Sequence, residues 1–188
     1  MQMSQADMWR YAVVYARGGV YADVDTDCVK PISSWLRPEC DILIGLENDV
    51  HFCQWTFAAI PRSPYLKSVL QLIVERLDFQ KGLNITDGDF VHHHTGPGVF
   101  TNGIGRALAE RLKLPSHSVT WSPRQWMEYL RRIGGAKSHG ICLEDLDFFG
   151  GNNVQNIYAS QQSFPGWKSW TVAASELRVK ANESLPGP

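Results

Sequence analysis

Residues 7–30, DMWRYAVVYARGGVYADVDTDCVK, constrain the fold more than any other stretch of the chain. Met8, Trp9, Ala12, Val13 and Ala16 recur at steps of three and four, the spacing of one helical face, which predicts a helix from about Ser4 to Arg17. Ser4 and Asp7 form a weak capping-box pair at its start. Tyr11, Val14 and Tyr15 extend the apolar surface beyond one face, so the helix is expected to be buried on more than one side. Gly18 can take the left-handed conformation that ends a helix. After Gly18-Gly19, Val20, Tyr21 and Val24 read as a strand running to Asp25.

That strand ends in carboxylates at Asp23, Asp25 and Asp27. In an extended segment Asp23 and Asp25 share a side, roughly 6.6 Å apart. Two carboxylates held close and dry repel, and protons or a cation must relieve them. A hard divalent ion with oxygen ligands is the natural relief. A polar turn in which Asp serves only as turn former is the plainer alternative.

The pattern of Asp7, Arg10, Gly18, Gly19, Tyr21, Asp23 and Asp25 resembles the signature of glycosyltransferase family 32, the sugar-binding region with an Asp-x-Asp motif. YADVDTDCVKPISSW, GLEND (Gly45 to Asp49), QWTFAAIPRSP (Gln54 to Pro64) and TGPGVFT (Thr95 to Thr101) resemble the fungal α-1,6-mannosyltransferases of that family that start outer-chain mannan in the Golgi. The resemblance covers about Ala6 to Lys168. It implies an α/β chain of the GT-A nucleotide-sugar transferase fold and a retaining reaction dependent on Mn²⁺ or Mg²⁺. By that resemblance Asp25 and Asp23 hold the metal, with Asp23 also serving the donor. Asp7, Arg10, Tyr21, Gly96, Pro97 and Trp167 line the donor site. Glu47, with Asp23 and Asp25, is a catalytic candidate, and Asp49 is a further nucleophile candidate. The implied partners are GDP-mannose and a glycan acceptor. The alternatives are a UDP-sugar donor, a sphingolipid acceptor, or a non-catalytic homologue acting as a partner subunit. The implied compartment is the Golgi lumen.

Length and composition fit this picture. The chain has 188 residues, 44% of them hydrophobic, enough for one domain with a real core. A net charge of −1 gives no electrostatic footprint for nucleic acid. No run of eighteen apolar residues and no signal-peptide pattern is visible. The helix of the signature starts within ten residues of the first, whereas a GT-A domain places nucleotide-binding β/α units ahead of its metal motif. The expectation is therefore a domain over 1–174 lacking those units, with any membrane anchor confined to a longer parent chain, and a flexible tail at 175–188.

Further along, the apolar run Asp41–Glu47 predicts a buried strand and Phe52–Ile60 a second one. Pro64–Leu77 predicts a helix. His92 and His94 are placed in an extended segment, Gly96-Pro97-Gly98 in a tight turn, and a helix starts at Thr101 as N-cap. Pro123–Arg132 reads as a helix ended by Gly134-Gly135, and Ser138–Phe149 as irregular. Asp145 and Asp147 form a second D-x-D without the Arg and Gly-Gly context, and read as surface. Cys28, Cys40, Cys53 and Cys142 lack zinc-type spacing, which leaves disulfides or buried thiols. Near 161–168 the family closes with a His and Gly-Ser-Trp-Lys; here Gln161 or Gln162 stands in the His position and Gly166-Trp167-Lys168 lacks the Ser. The signature helix and strand, Glu47 and the Thr95–Gly98 turn are expected to meet, with Arg10 paired to Asp7 or to an aspartate of the motif.

Overall fold

A computed structural model describes residues 3–28, 30–79, 88–145, 148 and 159–161. Helices α1 (Met3–Arg17), α2 (Pro64–Phe79), α3 (Gly88–His94), α4 (Pro97–Leu112) and α5 (Pro123–Arg132) accompany strands β1 (Gly19–Ala22), β2 (Thr26–Cys28), β3 (Ile42–Gly45), β4 (Thr56–Ala59), β5 (Ile141–Glu144) and β6 (Ala159–Gln161). The α/β class expected from the sequence is thus observed.

The main sheet has the order β1-β4-β3-β5. β4 is antiparallel to both of its neighbours, and β5 is parallel to β3. β1 and β3 therefore run in the same direction on either side of β4, and both deliver their carboxyl ends to one edge. A second ladder pairs β2 with β6 and sets Thr26 opposite Gln161.

Strand side chains alternate between two cores, as a period of two requires. Ile42, Ile44, Phe57, Ala59 and Ile141 face a cluster with Tyr11, Val14, Leu66, Val69, Ile104 and Leu108 from α1, α2 and α4. Leu43, Ala58 and Cys142 face the other way, toward Ile32, Trp35, Cys53 and Trp55. The main sheet is covered on both faces, which explains the nearly continuous apolar character of β3. A Cβ on Gly103 of α4 would stand 2.6 Å from the Val69 Cα of α2, so the close approach of these helices requires glycine there.

Gly18 ends α1 at φ 66°, its N–H donating to the Val14 carbonyl at 2.7 Å. A disulfide joins Cys40, just before β3, to Cys142 of β5, and Cys28 and Cys53 are free thiols, so both options left open for the cysteines occur.

Several expectations are corrected. The buried stripe of α1 is Asp7, Arg10, Tyr11 and Val14, while Trp9, Ala12 and Ala16 are exposed. The helix is turned by partners for its charged pair, a force that apolar spacing does not register. The histidine run is helical in α3, and α4 starts at Pro97 with Gly96 as its N-cap. Thr101 lies inside α4, where its buried Oγ1 accepts from the Phe52 N–H at 3.0 Å. Residues 141–144, expected to be irregular, form β5, because the Cys142 disulfide and the β3 ladder hold them in the sheet. The second Asp-x-Asp position at residue 147 and the tail lie outside the described residues.

Candidate active site

The strand expected to carry the acidic motif stops at Ala22. The β1–β4 ladder is prolonged by one bond, from the Asp23 N–H to the Trp55 carbonyl at 2.8 Å. The Thr26 N–H then donates to the Asp23 carbonyl at 3.0 Å and closes a tight turn around Val24 and Asp25. Asp23 and Asp25 are therefore not i, i+2 neighbours on an extended segment. Asp23 points back to the sheet edge, and Asp25 sits in the turn with exposed Val24 beside it. Aspartate favours such turns, so the turn former of the plainer reading and the acidic pair coexist in one loop.

Arg10 is the hub. Its guanidinium reaches Asp7 Oδ1 through Nη2 at 3.0 Å and Asp23 Oδ1 through Nη1 at 2.9 Å. Nη1 also donates to the Gln54 carbonyl at 3.3 Å. The guanidinium carbon lies 4.8 Å from the centre of the Tyr21 ring, and the Tyr21 hydroxyl donates to Asp23 Oδ1 at 2.6 Å. Arg10 and Asp7 are almost fully buried, at 7% and 6% exposure, which makes this an interior ion pair. The i, i+3 spacing on α1 brings the two side chains to one face. The planar fork of arginine bridges two carboxylates at once, a geometry that lysine cannot reproduce.

Asp7 is held from the other side by Thr95, whose Oγ1 donates to Asp7 Oδ2 at 3.2 Å. Burial pushes the Asp7 carboxyl above the usual carboxylate range, against the pull of Arg10 and Thr95. Burial and the hydrogen bond to Asp23 likewise raise the Tyr21 phenol. Desolvation would lower Arg10, but Asp23 and its other neighbours more than offset it and keep the guanidinium charged.

Glu47 leaves β3 at the same sheet edge, its N–H donating to the His51 carbonyl at 3.0 Å. Its Oε2 is buried and makes no hydrogen bond among the described residues. Burial, and then the charge of Asp23, raise its carboxyl. Asp49 turns away to pair with Arg124 of α5, so the two acids of this loop have different neighbours. Thr95 and Gly96 reach the network, Gly96 through its carbonyl 3.5 Å from the Tyr11 hydroxyl, while Pro97 occupies the first turn of α4. Trp167 lies outside the described residues. His92 contacts the His51 ring, Nε2 to Nε2 at 3.0 Å.

Among the described residues no three His, Cys, Asp or Glu side chains converge as a metal cage. The donors at hand are carboxylate oxygens from Asp23 and Asp25, with the orphaned Glu47 Oε2 near Asp23. That set fits a hard cation that draws its remaining ligands from water and phosphate, as Mg²⁺ and Mn²⁺ do. Tyr11 and Gln54 were not singled out by sequence reasoning. The position of Gln54 in QWTFAAIPRSP, two residues before β4, was the available signal.

Comparison with known proteins agrees with these residues. The model of the glycosyltransferase sugar-binding region containing DXD motif matches residues 1–41. An initiation-specific α-1,6-mannosyltransferase of Schizosaccharomyces pombe is 35% identical over 121 residues, covering 53% of this chain and 30% of the relative. Its Candida albicans counterpart is 27% identical over 172 residues, covering 76% of this chain and 44% of the relative. The PaToxG glycosyltransferase structure superposes with a TM-score of 0.45 at 25% identity, over 71% of this chain and 45% of that one. The chain thus spans about a third to a half of the length of the proteins it matches. Asp7, Arg10, Tyr21 and Asp23, gathered at one sheet edge, all fall within the residues that are similar to the DXD-containing sugar-binding region of glycosyltransferases.

Proposed function

We propose that this chain forms the donor-sugar and metal side of a retaining hexosyltransferase that moves mannose from GDP-mannose onto a glycan in α-1,6 linkage. The observation that carries the reading is the buried Arg10, bridged between Asp7 and Asp23 and stacked on Tyr21. A buried charge network of this kind is costly to maintain, and a role in binding accounts for it better than stability does. The fungal relatives, named for α-1,6-mannosyl transfer, support the choice of sugar and linkage.

Asp25 and Asp23 would hold the divalent cation, with Glu47 close by. When bound, the cation stabilises the negative charge that grows on the leaving nucleoside diphosphate. Asp7 accepts hydrogen bonds from donor-sugar hydroxyls, and Arg10 donates to them, once the bridge between Asp7 and Asp23 loosens. Tyr21 keeps Asp23 oriented through its hydroxyl. Glu47, held by burial toward its protonated form, can give a proton to or take one from a group beside Asp23. A covalent link between Cys40 and Cys142 suits an oxidising compartment and supports a Golgi-lumenal site for the parent protein.

The test is hydrolysis and transfer with a panel of GDP- and UDP-sugars, with and without Mn²⁺. Mn²⁺-dependent turnover of GDP-mannose alone is expected. Turnover of a UDP-sugar in preference would overturn the donor assignment, and Mn²⁺-independent turnover would overturn the role of the acidic turn.

A further inference from the structure

His51 and His92 come from distant parts of the chain and meet ring to ring, Nε2 to Nε2 at 3.0 Å. His51 lies in the loop between β3 and β4, and His92 in α3. Both are half-buried. Their ring planes are inclined by 78° and the ring centres are 4.7 Å apart. Together these distances constrain where the nitrogens point. A straight N–H···N bond of this length, with each ring aimed at the other, would separate the ring centres by about 5.3 Å. The shorter separation is the one two imidazoles give when both aim at a single point about 2.0 Å from each Nε2, the length of a Zn–N bond. Each histidine is also held in place. The His51 N–H donates to Asn48 Oδ1 at 2.8 Å, and its carbonyl accepts from the Glu47 N–H at 3.0 Å. The His92 ring packs on Gly98 of α4, where a Cβ would stand 3.1 Å from its Nδ1. Burial, then the neighbouring His92 and His93, lower the His51 imidazole, which favours the neutral form that binds metal.

We propose that His51 and His92 form a two-histidine site for a late first-row divalent cation of the Zn²⁺ class, with solvent completing the coordination. It is separate from the hard-cation site at the acidic turn. Imidazole nitrogens suit Zn²⁺ and its neighbours, whereas Mn²⁺ and Mg²⁺ take oxygen ligands. A tetrahedral angle at the ion would set the nitrogens about 3.3 Å apart, so an opening of a few tenths of an ångström completes the fit. The two histidines sit on segments that also place acids of the candidate active site. His51 shares its loop with Glu47, and α3 leads into Thr95, which donates to Asp7. A cation between the rings therefore ties these two segments together.

The experiment titrates Zn²⁺ into wild type, His51→Ala, His92→Ala and Asp25→Asn against a chromophoric chelator, with thermal midpoints measured with and without Zn²⁺. Wild type should take up one Zn²⁺ that a roughly hundredfold excess of Mn²⁺ does not displace, and its midpoint should rise on binding. Each histidine variant should lose at least about tenfold in Zn²⁺ affinity together with that rise, while Asp25→Asn should keep both. Cu²⁺-loaded wild type should show coupling to two nitrogens in its EPR spectrum, a readout that needs no variant to fold. Four results would each overturn the site and leave only a hydrogen bond between the rings. They are wild type that binds no Zn²⁺, Zn²⁺ affinity unchanged in both histidine variants, uptake lost in Asp25→Asn alone, and a copper spectrum with oxygen ligands only.

Discussion

Replacing Arg10 with methionine probes the centre of the site. The variant keeps an unbranched stem of similar reach but removes the cation between Asp7 and Asp23, whose side chains are 8% and 26% exposed. Two carboxylates would then share a poorly solvated pocket with no neutralising charge. Removing one partner of a buried pair costs about 3–5 kcal/mol. At about 2–4 °C per kcal/mol for a chain of this size, the thermal midpoint at neutral pH should fall by roughly 6–20 °C.

The pH dependence fixes the cause. Burial already raises the folded-state value of Asp7 above its ordinary 3.8. A carboxyl raised in the folded state favours folding in its protonated form. Its contribution is fully present below the unfolded value and is lost as pH rises through the folded one. Without Arg10 the folded value rises further, so the Arg10→Met deficit should be large at about pH 7 and shrink steadily toward about pH 4. Urea unfolding of both proteins across that range gives the measurement. A deficit below about 1 kcal/mol at neutral pH, or one that does not change with pH, would refute the claim that Arg10 neutralises buried charge.

Three other outcomes follow from the same geometry. Glu47→Gln removes a carboxyl raised by burial and by Asp23, so it should increase the thermal midpoint at neutral pH, with the gain vanishing below the ordinary value of 4.5, and a midpoint unchanged at neutral pH would count against the burial argument. Gly18→Ala places a Cβ 2.6 Å from the Pro61 Cδ at a backbone φ of 66°, and differential scanning calorimetry should show a loss of about 2–4 kcal/mol. Cys142→Ser opens a bridge across 102 residues of chain and should lower stability in denaturant by about 3–5 kcal/mol, a loss matched by reduction of the wild type.

Where local chemistry decides structure, the sequence was readable. Glycine stops, the apolar run of β3 and the proline at the start of α2 led to elements found where expected. The charged pair on α1 was also legible as Asp7 and Arg10 at i, i+3, although not as the buried stripe. Apolar periodicity assigned that stripe to Trp9, Ala12 and Ala16, because it cannot weigh an ion pair whose partners lie near positions 23, 54 and 95. β5 was missed for a related reason: Ile141–Glu144 is short, and its strand character comes from a parallel ladder and a disulfide, both long-range. The strand was carried on to Asp25, with a turn only as the plainer alternative, because Val24 continues the alternation of a strand, while the bond from Thr26 back to Asp23 ends it. Gln54 had no pattern of its own, because its contacts, to Arg10 through its carbonyl and to Tyr11 through its side chain, are with a distant helix.

The central claim, that the acidic turn holds a cation for a nucleotide-sugar donor, is tested most directly by Mn²⁺-dependent binding of GDP-mannose to wild type and Asp25→Asn. The substitution keeps shape and hydrogen-bonding reach and removes one charge. Charge stabilisation of this kind is worth about 3–4 kcal/mol, so turnover should fall roughly a hundred- to a thousand-fold. Mn²⁺-dependent binding should be lost with it, while the thermal midpoint holds or rises as repulsion within the aspartate turn eases. Mn²⁺-dependent binding retained in Asp25→Asn, together with a lowered midpoint, would show that Asp25 only shapes the turn and would contradict the account.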